Sequence, residues 1–355
     1  MNRKIVLGGC AAILLSAAVF WLRGGNEIPS DTGADYGGFH SGVTYAMNTM
    51  VEQKWYGENA DAIYDGVEAL IREIEADISM HLPASEIARI NDNAGVQPVE
   101  VSQRTFDLLR RAKELSLQSR QSFDLTIAPV AELWGITSDH PRVPGEEELA
   151  EALRLVGAED LILDEEDCTA YLARSGMAID LGGIAKGWAC DQIRAYALEM
   201  GAQRGYVSLG GNLMIIGEKP DGSDFLFGLR DPQGDASEYI GTIPLEGKTM
   251  ATTGGYERFF EQDGVRYHHV LDPRTGYPAD SDLLSVTVVS ADGTLADYLS
   301  TALFVLGKEA AIAAADEEEF SLILVDREGT VYISSALEGV FTPNAEKNEY
   351  HFVYI

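Results

Sequence analysis

The stretch Asp180-Leu181-Gly182-Gly183-Ile184-Ala185-Lys186-Gly187 joins an apolar-acidic segment to a helix-like run from Ile184 to Met200, which Gly201 closes. Its paired glycines let a ligand approach the backbone closely, and a helix start offers unpaired N–H groups to an anion. The spacing matches neither the GxGxxG dinucleotide fingerprint nor the GxxxxGK(S/T) nucleotide loop. By itself, the stretch indicates either a tight packing turn between strand and helix or a ligand site.

The composition is typical of a soluble domain with an acidic surface. The chain has 355 residues, a formal net charge of −31 and an apolar fraction of 46%. This length suits one large core or two fused cores. Because no basic surface is available to displace counterions from phosphates, the charge argues against a nucleic-acid partner.

The N-terminus differs in kind from the rest of the chain. Residues 5–22 form an 18-residue run without a charge, directly behind Arg3 and Lys4. About 20 apolar residues span a bilayer, and positive residues before such a run keep the N-terminus inside. We therefore predict a single-pass membrane anchor or signal segment over residues 1–23, with the bulk of the chain on the extracytoplasmic side of the cell membrane. A lipoprotein at Cys10 is the alternative, although the apolar run before Cys10 is short for a cleaved signal.

Two further divisions follow from composition. Residues 24–41 are rich in Gly, Ser, Asp and Pro, which predicts a flexible tether. Residues 42–355 then form the folded domain. Its cysteines, Cys168 and Cys190, are too few for a disulfide framework and stand in no CxxC pattern.

Local patterns predict a mixture of helices and strands without a regular βαβ alternation. Helical spacing or capping signals mark residues 60–80, a helix after Ser102, and residues 146–156, 184–200 and 295–306. Strand-like runs cover residues 43–51, 206–216 (with a glycine bulge), 225–230 and 285–289; hairpins cover residues 161–172, 320–334 and the turn Asp263-Gly264. The pattern predicts an α+β fold with largely antiparallel sheets.

A carboxylate and a hydroxyl are spaced one helical turn apart in Ala296-Asp297-Tyr298-Leu299-Ser300-Thr301. In a helix, Asp297 and Thr301 share a face, and an oxygen-only pair suits a hard cation such as Mg²⁺. The alternative is structural: Thr301 bonds back to a helix carbonyl and Asp297 helps to cap the first turn.

Two histidines precede a turn motif. His268 and His269 run into Asp272-Pro273-Arg274-Thr275-Gly276, whose Pro and Gly supply the backbone angles of a turn. One imidazole can serve as a base, or one can be a satisfied core residue, and the residues alone do not choose between the two.

Taken in order, these stretches resemble the ApbE family of FAD:protein FMN transferases along nearly all of residues 43–307. The blocks that carry the resemblance are Met47-Asn48-Thr49, Ser85-Glu86-Ile87 with Asn91, Phe123-Asp124-x-Thr126-x-x-Pro129 with Leu133-Trp134-Gly135, the stretch from Asp180 to Gly187, Leu209-Gly210-Gly211, His269-x-x-Asp272-Pro273-Arg274-Thr275-Gly276, and Ala296-Asp297-x-x-Ser300-Thr301. Each block is weak alone, but their shared order is specific.

The resemblance implies an ApbE/T-fold-like α+β domain that transfers FMN from FAD to a Thr or Ser hydroxyl of an acceptor protein, with Mg²⁺ and release of AMP. It implies His269 as the general base and Asp180 as a second catalytic residue that binds or orients FAD. The other implied FAD contacts are Met47, His81, Ser122, Phe123, Asp124, Lys186 and Leu271, and the implied metal ligands are Gly183, Asp297, Ser300 and Thr301.

This chain departs from the family pattern at two places. Asn48 replaces the usual Gly beside Met47, and His81 stands where many members have a Tyr against the flavin. Two other functions use the same site: a Mg²⁺-dependent FAD pyrophosphatase, in which water replaces the acceptor hydroxyl and gives FMN and AMP, and a non-catalytic FAD-binding carrier.

Overall fold

A computed structural model describes residues 38–315 and 317–355. The predicted anchor (1–23), Cys10 and most of the predicted tether lie outside the described residues. Within the described ranges, no helix is long and apolar enough to cross a membrane. The first strand begins at Phe39, so residues 39–41 belong to the folded domain and not to the tether.

The sheets are almost entirely antiparallel. The strands are β1 (Phe39–Ala46), β2 (Thr49–Tyr56), β3 (Val99–Glu100), β4 (Leu161–Asp164), β5 (Thr169–Leu172), β6 (Gly205–Leu209), β7 (Asn212–Ile216), β8 (Leu226–Arg230), β9 (Tyr239–Pro244), β10 (Thr249–Gly254), β11 (Phe259–Gln262), β12 (Val265–His268), β13 (Leu283–Ser290), β14 (Phe320–Asp326), β15 (Thr330–Ile333), β16 (Thr342–Pro343) and β17 (His351–Tyr354). The main sheet has the order β1-β2-β6-β7-β10-β13-β14-β15-β17, and only β15 and β17 pair in parallel. The predicted α+β class is confirmed.

The helices and a second sheet cover the two faces of the main sheet. The helices are α1 (Ala60–Ile78), α2 (Glu86–Asp92), α3 (Gln103–Gln118), α4 (Ala128–Trp134), α5 (Glu146–Leu153), α6 (Ala185–Glu199), α7 (Gly293–Leu306) and α8 (Lys308–Ala313). Buried side chains of α1, α6 and α7 pack on one face, and the sheet β16-β9-β8 packs on the other. Ser102 caps α3 as predicted, since its hydroxyl accepts from the amide of Thr105.

Two predicted strands are each a hairpin. Residues 43–51 span the turn between β1 and β2, where Met47 and Asn48 have φ angles of 50° and 56°. Residues 206–216 contain the turn Gly210-Gly211 between β6 and β7, and not a bulge within one strand. Positive φ at both central residues produces the tight two-residue turn whose twist matches antiparallel strands.

Two carboxylates, Asp297 (buried) and Asp191 (half-buried), hold α6 and α7 together in a reciprocal way, and we call this arrangement the helix clasp. Oδ2 of Asp297 in α7 accepts the amide of Gly187, 2.9 Å away in the first turn of α6. In return, Asp191 in α6 accepts the amides of Gly293 and Thr294, each at 2.8 Å, in the first turn of α7. Each helix therefore satisfies N-terminal donors of the other, which fixes the position of Asp297.

Gly187→Ala should destabilise the protein, because a Cβ at Gly187 would lie 2.0 Å from the carbonyl oxygen of Gly293 and 2.6 Å from Cβ of Asp297. The helices must separate to admit the methyl group, which costs about 1–3 kcal/mol or more. Thermal or urea unfolding measures the loss. Gly145→Ala is the matched control, since this exposed helix-cap glycine has negative φ and meets only the end of Glu148. Equal stability of the two variants would contradict the close helix contact.

Candidate functional site

A cavity of about 320 Å³ lies where the start of α6, the exposed turn between β1 and β2, and the loops after β10 and β12 meet. It brings together every site residue predicted from the sequence except Ser300: Met47, His81, Ser122, Phe123, Asp124, Asp180, Gly183, Lys186, His269, Leu271, Asp297 and Thr301. Residues from widely separated parts of the chain therefore meet in one place.

The oxygen atoms proposed to hold a metal lie on one wall of this cavity. Asp297 is only 3% exposed and Thr301 follows one turn later in α7. A Cβ at Gly183 would lie 3.4 Å from Oγ1 of Thr301 and 3.0 Å from the Phe123 ring, so a side chain at Gly183 would fill the space beside the hydroxyl. A carboxylate, a hydroxyl and an exposed backbone segment form an oxygen donor set that fits Mg²⁺.

The structural alternative is wrong in detail, because Asp297 accepts an amide in the first turn of α6 and does not cap its own helix. Asp292 caps α7, since its carboxylate accepts the amide of Leu295, whereas Asp297 lies inside the helix. The hydroxyl that bonds back to a helix carbonyl is that of Ser300, at 2.8 Å from the carbonyl of Asp297. Ser300 is fully buried, and its hydroxyl also contacts the hydroxyl of Thr253. Ser300 therefore does not line the cavity with the other predicted ligands.

The start of α6 is less open to an anion than expected from the sequence. The amide of Gly182 donates to Oδ1 of Asp180 at 2.7 Å, and the amide of Gly187 donates to Asp297. Lys186 supplies positive charge at this corner: its Nζ lies 3.2 Å from the carbonyl of Gly182 and 3.7 Å from Oδ1 of Asp297. The corner is therefore a packing turn that also lines the cavity.

The two histidines have different environments. Nε2 of His268 lies 3.1 Å from the carbonyl of Ala279, and the ring packs edge-on against Phe304. His269 lines the cavity instead, with Nδ1 3.3 Å from the carbonyl of Arg258. Since a carbonyl only accepts, Nδ1 carries the proton and Nε2 of a neutral ring keeps its lone pair. Of the pair, His268 is the core residue and His269 is the candidate base.

The electrostatic surroundings keep His269 neutral. Burial lowers its pKa to about 3, and the neighbouring charges of Arg258 and Lys186 act in the same direction. Both effects disfavour the imidazolium ion. At physiological pH, the ring is therefore neutral, and Nε2 carries no proton.

The segment from Ser122 to Asp124 forms a wall whose polar groups are already engaged. The Ser122 hydroxyl donates to the carbonyl of Ser119 at 2.7 Å. The Asp124 carboxylate accepts from Thr126 and from the amide of Ala158, while burial raises its pKa above the usual range. Phe123 packs edge-on against Tyr298 in α7, with ring centroids 5.2 Å apart.

The tip of the first hairpin and the loop after α1 complete the cavity rim. The Met47 amide donates to Oε1 of Glu75 at 2.9 Å, which fixes the turn. Asn48 suits its positive φ because Asn enters the left-handed region more readily than most residues, and its Oδ1 accepts from Tyr45 at 2.8 Å. His81 is exposed at the rim, and Leu271 is buried on the opposite side.

Sequence reasoning missed several polar residues of the lining: Glu75, Thr252, Thr253, Glu257 and Arg258. Glu257 and Arg258 lie shortly after β10, behind Gly255 and Tyr256, and belong to no motif that carries chemistry. The Arg258 side chain bridges the cavity, since its Nη2 donates to the carbonyl of Asn48 at 2.8 Å. With these residues included, the part of the lining that residues 38–315 and 317–355 supply holds five carboxylates (Glu75, Asp124, Asp180, Glu257, Asp297) but only two cations (Lys186, Arg258).

Comparisons with known proteins agree with this architecture. The profile of the ApbE family matches residues 47–324. An FAD:protein FMN transferase from Klebsiella pneumoniae is 37% identical over 298 residues, covering 84% of this chain and 92% of that protein. One from Treponema pallidum is 35% identical, covering 72% of this chain and 74% of that protein.

Solved structures give the same result. The crystal structure of the ApbE protein from Thermotoga maritima superposes with a TM-score of 0.80 at 35% identity, covering 85% of this chain and 99% of that one. The flavin transferase ApbE from Vibrio cholerae superposes with a TM-score of 0.77 at 27% identity, covering 85% and 99%. The family match spans more than half of the sequence, and the fold agrees over the same region. This chain therefore belongs to the ApbE family.

Proposed function

We propose that this protein transfers the FMN moiety of FAD to a Thr or Ser hydroxyl of an acceptor protein, in a Mg²⁺-dependent reaction that releases AMP. The observation that carries the proposal is the cavity, in which a neutral imidazole, an oxygen donor set and two cations face one space. The relatives from Klebsiella pneumoniae and Treponema pallidum are FAD:protein FMN transferases, which supports the same reaction for this protein.

The proposed reaction exchanges one phosphorus–oxygen bond for another. The acceptor oxygen bonds to the phosphorus on the FMN side of FAD, and the bond from that phosphorus to the bridging oxygen breaks, so the electron pair leaves with AMP. Nε2 of His269 takes the hydroxyl proton, which makes a weak nucleophile competent. Lys186 and Arg258 balance part of the phosphate charge.

The charge balance of the cavity favours a divalent cation in this scheme. Five carboxylates against two cations leave the lining negative, and a pyrophosphate adds further negative charge. Asp297, Thr301 and the backbone carbonyl of Gly183 are the groups that would hold Mg²⁺. When bound, Mg²⁺ neutralises pyrophosphate charge and stabilises the departing AMP.

Intact-mass analysis tests the proposal. The protein is incubated with FAD, Mg²⁺ and a candidate acceptor, beside the same acceptor with its target Thr or Ser replaced by Ala. A gain equal to FMN on the first acceptor alone supports transfer. Free FMN and AMP without a mass gain would make the protein an FAD pyrophosphatase, and unchanged FAD would make it a carrier; either result overturns the proposal.

We also propose that residues 1–23 anchor the chain in the cell membrane with the catalytic domain outside the cytoplasm. The support is the uncharged run over residues 5–22 behind Arg3 and Lys4. Protease added to intact spheroplasts should digest the domain while a cytoplasmic marker protein stays whole. Protection of the domain until the spheroplasts are lysed would contradict this topology.

A further inference from the structure

Glu257 is a cavity carboxylate without a partner. It lies in the loop between β10 and β11 and faces the same space as Lys186 and Asp297. Its carboxylate makes no hydrogen bond or ion pair with any residue in the described part of the chain, whereas each of the other four carboxylates of the lining accepts at least one hydrogen bond. Partly burying a charge without a partner costs free energy, so the arrangement calls for an explanation.

Among the cations around Glu257, Lys186 has the largest electrostatic effect on its carboxylate. Burial raises the pKa of Glu257, and Lys186 is the first of three cations that oppose this shift, ahead of Arg230 and Arg258. The Lys186 ammonium nevertheless lies beside Asp297, with Nζ 3.7 Å from Oδ1. Lys186 thus stands between two carboxylates and is paired with only one of them.

The place that Lys186 occupies is also the place where a metal would bind. Oδ2 of Asp297 accepts the Gly187 amide in the helix clasp, so Oδ1, the oxygen beside Lys186, is the one freer to bind an ion. An ammonium group and a divalent cation repel each other strongly at contact distance in a poorly solvated cavity. Metal binding at Oδ1 therefore requires Lys186 to leave it, and the flexible four-carbon stem of lysine permits the movement.

We propose that Glu257 is a positioning residue that receives the Lys186 ammonium when a divalent cation binds at Asp297. The cavity then changes its ion pair from Lys186–Asp297 to Lys186–Glu257, and the lysine keeps a partner in both states. This inference rests on the proposed function, since it takes Asp297 as the metal ligand. Glu257 acts through Lys186 and does not itself touch the ion.

Metal binding to the full-length protein without FAD tests whether Lys186 exchanges its Asp297 partner for Glu257. Mg²⁺ affinity is measured by calorimetry, with Mn²⁺ as a spectroscopic probe, for wild type, Glu257→Gln, Lys186→Met and the double variant. Glu257→Gln should weaken binding by about tenfold, because Lys186 loses its second partner, and Lys186→Met should strengthen binding. In the Lys186→Met background, Glu257→Gln should change the affinity by less than about twofold, since no lysine needs a partner.

Glu261→Gln is the matched control, because it removes the same charge from an exposed residue of β11 outside the cavity. It should leave Mg²⁺ affinity unchanged, and thermal unfolding verifies that each variant folds. Wild-type protein that binds no Mg²⁺ would overturn the metal site and the exchange together. Normal affinity in Glu257→Gln, or equal weakening with and without Lys186, would overturn the exchange alone and leave the proposed function intact.

Discussion

Replacing Asp297 by Asn should nearly abolish FMN transfer at low Mg²⁺ and restore part of it when Mg²⁺ is raised. Asp297 supplies the only full negative charge in its donor set, because Thr301 and the Gly183 carbonyl are neutral. The loss of metal affinity should at least equal the roughly 10–100-fold that loss of an outer-shell partner typically causes. Initial transfer rates over a Mg²⁺ series measure both the loss and the recovery.

The structure also shows how to separate metal loss from helix damage. Asp297 is buried, yet Asn can still accept the Gly187 amide through its side-chain oxygen, so the helix clasp survives the change. Asp191→Asn is the matched control, since it alters the other carboxylate of the clasp and leaves the donor set untouched. Thr301→Val should show a milder form of the Asp297→Asn effect. Wild-type Mg²⁺ dependence in Asp297→Asn would show that other groups hold the ion.

His269→Ala should keep FAD binding but slow transfer by roughly 10²–10⁴-fold, the usual contribution of a general base. Burial and nearby cations lower the pKa of His269 to about 3, so the free enzyme holds the neutral base throughout the physiological range. Because the folded pKa is lowered, the wild-type kcat/KM profile should not fall as pH decreases through 6.5. Single-turnover transfer and equilibrium FAD binding, measured in parallel, separate the chemical step from affinity.

His268→Gln is the control for this prediction. His268 lies in the core beside Phe304 and reaches the carbonyl of Ala279, so its replacement should lower stability more than transfer. An unchanged single-turnover rate in His269→Ala would assign the base to another residue of the cavity.

Local sequence signals correctly predicted the caps and turns that depend only on a few neighbouring residues. The hydroxyl of Ser102 caps α3, and Asp263-Gly264 forms the turn between β11 and β12. The turn at Met47 and Asn48 was missed because neither residue is glycine, although both have positive φ. Short strands such as β16 and β17 also escaped prediction, since pairing with distant strands defines them more than their own sequences do.

In the candidate site, too, residues within sequence motifs were predicted and residues outside them were not. Motif residues such as Asp297, Lys186 and His269 were found because the order of the motifs indicates the family. Glu257 and Arg258 were not found, since a loop brings them to the cavity and no spacing rule marks them. Ser300 was included as a possible carbonyl ligand because it shares a motif with Thr301, but the two residues differ by about 100° around the helix axis, and Thr301 lines the cavity whereas Ser300 does not.

The helix clasp has a consequence for which ions this cavity can accept. Oδ2 of Asp297 already accepts the Gly187 amide at 2.9 Å, so Oδ1 is the oxygen that is freer to bind an ion in the proposed site. Calcium commonly takes six to eight oxygens and often uses both atoms of one carboxylate, whereas magnesium takes six at shorter distances and keeps several waters. A single oxygen held in a fixed direction suits the smaller ion. If Asp297 holds the ion as proposed, we expect the hydrogen bond that joins the two helices also to favour magnesium over calcium.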